Sequence, residues 1–197
     1  MDPDTIRVVL DVVGRLDRLG IRYVIGGSLA SSTHGEFRAS ADADILIELS
    51  HDRVKDLVHA FEAEYYVSET AAADAVMRHT SFNVIHLVTM FKVDLFVKGS
   101  RRLTESQMGR RMQATVGSPP TAVYMSSPED TILCKLDWYR KGGGVSDIQW
   151  RDVVGVIKQQ GPRLDLAFMR DVASSEGLDE LLDRALREGG LGGAPSA

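Results

Sequence analysis

The sequence predicts an α/β fold of the α+β kind, a mixed sheet flanked by helices with a helical C-terminal part, on three observations. Short β-branched runs alternate with amphipathic stretches up to about residue 126. Gly26-Gly27 cuts abruptly between a strand pattern and a helix pattern. From Ser127 onward every periodic stretch has helical spacing.

The elements follow in order. Ile6, Val9, Leu10, Val13 and Leu16 recur at helical spacing between Thr5 and Leu19, with Asp4 as expected N-cap and Gly20 just past the end. Ile21 to Ile25 is a short strand, and Ser28 to His34 a helix closed by Gly35. Asp42 to Leu49 alternates, with Ile45, Ile47 and Leu49 on one face and Asp42, Asp44, Leu46 and Glu48 on the other. Ser50 should cap a helix reaching Tyr65, and a weaker helix is expected over Ala71 to Met77. Phe82 to Val88 and Phe91 to Val97 read as a hairpin turning near Thr89-Met90, and Thr121 to Met125 as a further strand. Ser127-Pro128-Glu129-Asp130 is an N-terminal signal for a helix to Lys141, ended by Gly142. Helices opened by Ser146 and Asp165 follow, with a break at Gly177 and a last segment to Arg187. The expected organisation is thus residues 1–126 as an α/β core, 127–188 as a helical part and 189–197 as a disordered Gly-rich tail.

Bulk properties narrow the function classes. A 44% hydrophobic and 26% charged composition over 197 residues suits a globular protein with a proper core. No apolar run approaches the roughly 20 residues of a membrane span, so no membrane partner is expected. The single cysteine, Cys134, has no thiol partner and lies in an apolar helical pattern, which suits a buried hydrophobe and a cytoplasmic protein. A net charge of −5 argues against a surface built for non-specific nucleic-acid binding. The one dense basic cluster, Arg101, Arg102, Arg110 and Arg111, reads more readily as a solvated helix face than as a dock for a polyanion.

The chemistry concentrates in two motifs. Residues two apart in a strand point the same way, about 6.6 Å apart, so Asp42 and Asp44 project together. If the strand carrying Asp94 lies beside theirs, a third carboxylate joins the patch, and such oxygen-only donor sets suit Mg²⁺ or Mn²⁺. An Asp-x-Asp pair alone is a weak signal, since Asp at a strand start commonly caps a turn. Its context strengthens it. Gly26-Gly27-Ser28, between a strand and a helix N-terminus, offers backbone N–H groups, a hydroxyl and a favourable dipole to phosphate.

Gly26-Gly27-Ser28, Arg38-Ala39-Ser40-Ala41-Asp42-Ala43-Asp44 and Lys92-Val93-Asp94-Leu95-Phe96 together resemble the polymerase-β-type nucleotidyltransferase superfamily. The resemblance is to its small bacterial branch, which includes the AbiE-type abortive-infection toxins. Glu129 to Leu136, followed by Arg151-Asp152, is similar to that branch's downstream lysine and aspartate motifs, and the match spans about residues 23–157. By this resemblance Gly27 and Ser28 contact the triphosphate, Asp42 and Asp44 bind metal, and Asp94 completes the metal site or assists deprotonation of the acceptor. Lys135 neutralises the departing phosphates, and Asp152 orients that lysine or the acceptor. The implied reaction is transfer of a nucleoside monophosphate from a nucleoside triphosphate to an acceptor hydroxyl on tRNA, protein or a small molecule, with an antitoxin as a further expected partner. The alternative is a catalytically weak nucleotide-binding or partner-binding module of the same fold. Ala43, smaller than the apolar residue usual between the two aspartates, and Ser40, where threonine is common, depart from the pattern.

Arg38 suits a phosphate or a loop-anchoring carboxylate equally. Trp138, Tyr139 and Trp150 are expected to pack the helical part rather than stack on a base. The five histidines lack metal-ligand spacing.

Overall fold

The computed structural model describes residues 3–36 and 42–191. Helix α1 (Pro3–Arg18) leads into β1 (Tyr23–Ile25), α2 (Gly27–His34) and β2 (Asp42–Ile47). A 3-10 turn then precedes α3 (Val54–Phe61), β3 (Tyr65–Val67), α4 (Glu69–Arg78), and the hairpin β4 (Ser81–His86) and β5 (Lys92–Val97). Helix α5 (Arg102–Gly109) is followed by a second hairpin, β6 (Met112–Val116) and β7 (Thr121–Met125). The chain ends in α6 (Pro128–Lys141), α7 (Asp147–Gln160), α8 (Leu166–Glu176) and α9 (Asp179–Glu188).

The strands form one mixed sheet in the order β3-β4-β5-β2-β1-β7-β6. The central pairs β2–β5 and β1–β7 are parallel, and the other neighbours antiparallel. Period-two alternation decides which side chains go where. Ala43, Ile45 and Ile47 of β2 and Val93, Leu95 and Val97 of β5 face one side, where α1, α3 and α4 cover them in the main core. Each fully buried aliphatic side chain is worth about 1.5–3 kcal/mol, so this stripe outweighs the exposed ion pairs around it, worth at most about 1 kcal/mol each. The opposite face carries the aspartates. Part of it is closed by α5, whose Met108 packs on Val24 and Leu46. A separate apolar cluster joins α6 to α9, with Leu103 of α5.

Several expectations need correction. Asp4 lies inside the first turn of α1, not ahead of it. Ser50 makes no side-chain cap, and the following helix stops at Phe61, because Glu62–Glu64 reverse the chain into β3. Three-residue β3 is too short to display a period, yet its Tyr65 is buried and donates to Asp11. Strand β6 lacks apolar alternation because it is an exposed edge, and α5 buries only Leu103, Gln107 and Met108. No helix among the described residues is long and apolar enough to cross a membrane.

Arg101, Arg102 and Arg110 are exposed, as expected of a solvated face, but the cluster is not a free basic patch, because its arginines are already engaged. Arg101 pairs with Asp137 and Glu176, and Arg102 with Asp171. Arg110 pairs with Glu129 and Asp130 and lies over the Phe168 ring, while Arg111 donates to Tyr23 O and covers Tyr124. The cluster therefore ties α5 and β6 to the sheet and to the helical part. At its centre is Asp137, only 2% exposed, with Arg101, Arg140 and Lys141 nitrogens at 2.7–2.9 Å.

Burial alone would raise the Asp137 carboxyl, but hydrogen bonds from Arg101 and Lys141 prevail and hold it down at about 2. Its unfolded counterpart titrates near 3.8, so the stabilisation is present in full above that value and lost as pH falls toward 2. A depression of this size is worth about 2 kcal/mol. Asp137→Asn should therefore lose about 2 kcal/mol at pH 7, measured by urea unfolding, and the difference from wild type should vanish near pH 2.

Candidate active site

Strand β1 ends at Ile25, and the Gly26 amide donates to the Asp44 carbonyl at 2.9 Å, locking the turn against β2. Gly27 opens α2 with φ of +56°, and a Cβ there would lie 1.9 Å from Asp44 Oδ2. Both the conformation and the space demand glycine. The carboxylate of Asp44 thus lies against the first residue of α2, at the positive end of that helix.

In the parallel β2–β5 pairing, Asp44 is level with Asp94 and Asp42 with Lys92. Side chains two apart and level across a sheet share a face. Asp42, Asp44 and Asp94 accordingly line one cavity of about 990 Å³, together with Gly26, Gly27, Ser28 and Lys135. The condition set by the sequence, that the strand of Asp94 adjoin that of the aspartate pair on the same face, holds. Burial first, then the negative charges of Asp42 and Asp94, push the Asp44 carboxyl up to about 6; Lys135 and Lys92 partly offset this. The Lys92 ammonium sits 2.6 Å from Asp94 Oδ2. As the side chains stand, no group of three or more His, Cys, Asp or Glu among the described residues is gathered to hold a metal ion. The donor chemistry nevertheless fits one: Asp42 and Asp94 flank Asp44 on one face, along its strand and across from it, and crowd it enough to raise its proton affinity, so the group favours added positive charge.

Lys135, 4% exposed, enters the cavity wall from α6. Its ammonium donates to Asp152 at 2.8 Å and to Gln149 at 3.3 Å. Asp152 of α7 stands behind the lysine, and Ser31 of α2 lies 3.5 Å from the same carboxylate oxygen. Arg38 lies outside the described residues.

Two solved structures align with nearly the whole chain. An antigenic nucleotidyltransferase-like protein from Paracoccidioides brasiliensis superimposes with a TM-score of 0.58 at 19% identity, over 94% of this chain and 92% of that one. The fold is nucleotidyltransferase-like. The antibiotic-resistance factor ANT(2'')-Ia gives a TM-score of 0.59 at 14% identity, over 95% of each chain. No family model and no curated protein matches the sequence. Within this nucleotidyltransferase-like frame the strand pairing brings Asp42, Asp44 and Asp94 to one wall, and α6 places Lys135 in the wall of the same cavity.

The cavity also exposes residues that sequence reading passed over. Gln107 of α5, Ser126 just after β7 and Thr131 near the start of α6 line it. The usable signal was positional: Ser126 follows β7 as Gly26 follows β1. Tyr139 and Trp150 pack against each other at 5.1 Å, as expected of the helical part. Trp138 does not. It is 50% exposed, meets Phe96 edge-on at 5.7 Å and lines the cavity. Its placement one turn beyond Lys135 was readable from the helical period, but its exposure was not. Glu48, which shares the aspartate face, is held outside the cavity by Arg22 and Lys98. Cys134 touches the cavity with its thiol pushed up by burial, so it stays protonated and unreactive.

Gly27→Ala should unfold or rearrange this turn, lowering stability by about 1–3 kcal/mol, as read by denaturant unfolding. Asp44 has the opposite sign from Asp137. Its folded value near 6 exceeds the unfolded 3.8, so ionisation costs stability as pH rises through this window. Without divalent metal, Asp44→Asn should be more stable than wild type by about 2–3 kcal/mol at pH 8, with the gap closing near pH 4.

Proposed function

We propose that this chain is a metal-dependent nucleotidyltransferase that moves a nucleoside monophosphate from a nucleoside triphosphate to an acceptor hydroxyl. One observation carries the reading: Asp42, Asp44 and Asp94, from two parallel strands, share a cavity wall with the Gly26-Gly27-Ser28 turn and face Lys135. The acceptor oxygen forms a bond to the α-phosphorus, the bond to the bridging oxygen breaks, and pyrophosphate departs. In this reading Asp94 completes the metal site or assists deprotonation of the acceptor hydroxyl. The α2 N-terminus and Lys135 stabilise the phosphate charge, and Asp152 keeps Lys135 aimed. Asp42, Asp44 and Asp94 would hold Mg²⁺ or Mn²⁺, which when bound neutralises the triphosphate and lowers the acceptor's proton affinity.

The finer part of the reading, a toxin of an AbiE-type toxin–antitoxin pair acting on tRNA or protein, rests on the motif resemblance. A second reading, nucleotide binding without turnover, is favoured by the Lys92–Asp94 ion pair, which competes with any cation for Asp94.

Labelled nucleoside triphosphates incubated with cell extract and Mg²⁺ or Mn²⁺ test the main proposal. Wild type should label an RNA, protein or metabolite, and Asp42→Ala or chelation should reduce that label at least about a hundredfold. Equal silence of wild type and variant, with Mn²⁺-dependent nucleotide binding intact, supports the second reading. For the toxin role, expression of wild type should arrest growth while Asp44→Ala should not.

A further inference from the structure

Three hydroxyls have no obvious reason to be where they are. Among the described residues, the buried side-chain polar atoms without a hydrogen-bond partner are Ser28 Oγ, Ser126 Oγ and Thr131 Oγ1. Folded proteins rarely leave such groups unpaired, because a buried donor that has lost water and gained nothing is destabilising. These three come from separate parts of the chain, and all three residues line the same cavity. An unsatisfied donor held in the wall of a cavity can be answered by an acceptor that enters and settles against that wall.

The sheet explains why they converge. Strands β1 and β7 run parallel, with Ile25 level with Met125, and the Ser126 amide donates to the Ile25 carbonyl at 2.9 Å. Both strands therefore end together. Each is followed at once by a helix, α2 after Gly26 and α6 after Ser127. The crevice where helices leave the carboxyl ends of neighbouring parallel strands is where α/β proteins receive anions. At α6 the helix dipole is already answered: Glu129 and Asp130 occupy its first turn, held by Arg110, Ser106 and Ser127. The hydroxyls and Lys135, one turn beyond Thr131, are what remains to meet a ligand from that side.

We propose that Ser126 and Thr131, with Ser28, form a three-hydroxyl clasp that donates to the phosphate chain of the bound nucleotide. The inference rests on the nucleotidyltransferase reading for the identity of the ligand, and it adds the β7–α6 junction to the β1–α2 turn as a second phosphate-holding element. A phosphate chain suits the set because it offers many acceptor oxygens and no donor, matching three donors and one ammonium.

The clasp predicts an unusual pairing of effects. In calorimetric titration of the full chain with inorganic tripolyphosphate and Mg²⁺, Ser126→Ala and Thr131→Val should each bind about tenfold more weakly than wild type. Their unliganded melting temperatures should stay equal or rise, because no internal hydrogen bond is lost. Thr131→Ser keeps the hydroxyl and should retain affinity. Ser175→Ala, whose hydroxyl donates to the Val172 carbonyl at 2.8 Å, should show the reverse: lower stability and unchanged binding. Unchanged affinity in both clasp variants, a fall in melting temperature for Thr131→Val, or no tripolyphosphate binding by wild type each overturns the clasp. If nucleotide transfer persists while clasp variants bind normally, only the clasp falls. If tripolyphosphate binds through these hydroxyls and no transfer occurs, the clasp stands and the transferase reading falls.

Discussion

The contact on which the rest depends is the close approach of the Asp44 carboxylate to Gly27. It brings a charged side chain from the second strand against the start of the first helix after the sheet begins, at a distance no side chain on residue 27 would allow. Everything the cavity can do follows from it. The glycine turn and the acidic row become one surface, and the proton affinity of Asp44 rises because burial and two like charges act together. A site of this kind is unstable on its own terms, which is the usual condition of a cluster built to receive positive charge.

That instability is borne by packing elsewhere. The strands that present the aspartates on one face bury Ala43, Ile45, Val93 and Leu95 on the other, all 0% exposed. The same alternation that exposes the charge hides the apolar residues, so the acidic row cannot slip by one residue without turning this stripe outward. Ala43 is a core residue here, packed with no gap to solvent, and its small size bears on the tightness of the strand's back rather than on the carboxylates themselves.

How much was legible beforehand depends on whether a feature is local. The strands over residues 42–47, 92–97 and 121–125 and the capped helices after Ser127, Ser146 and Asp165 declare themselves through period and punctuation. Adjacency of the strands bearing Asp44 and Asp94 was only a condition in the sequence, since pairing between segments 50 residues apart is set by the whole sheet. The arginines at 101, 102 and 110 read as an unpaired run because their acids, Asp137, Asp171, Glu176 and Glu129, lie elsewhere in the chain, as do the Tyr23 carbonyl and Tyr124 ring that Arg111 meets. Ser126 and Thr131 were hidden for another reason: in sequence they are ordinary small polar residues, and only their shared lack of partners marks them.

Helix α2 has a further consequence. It is a rod of eight residues, about 12 Å long, and its two ends do different work. The far end is seated on α7: a Cβ on Gly35 would come within 2.9 Å of the Val156 amide nitrogen, and Gln160 donates to the His34 carbonyl. That same α7 supplies Asp152, which holds Lys135. A sideways shift of α7 would therefore be transmitted twice, once through the rod to the glycine turn and once through the aspartate to the lysine, so the two sides of the cavity would move in concert.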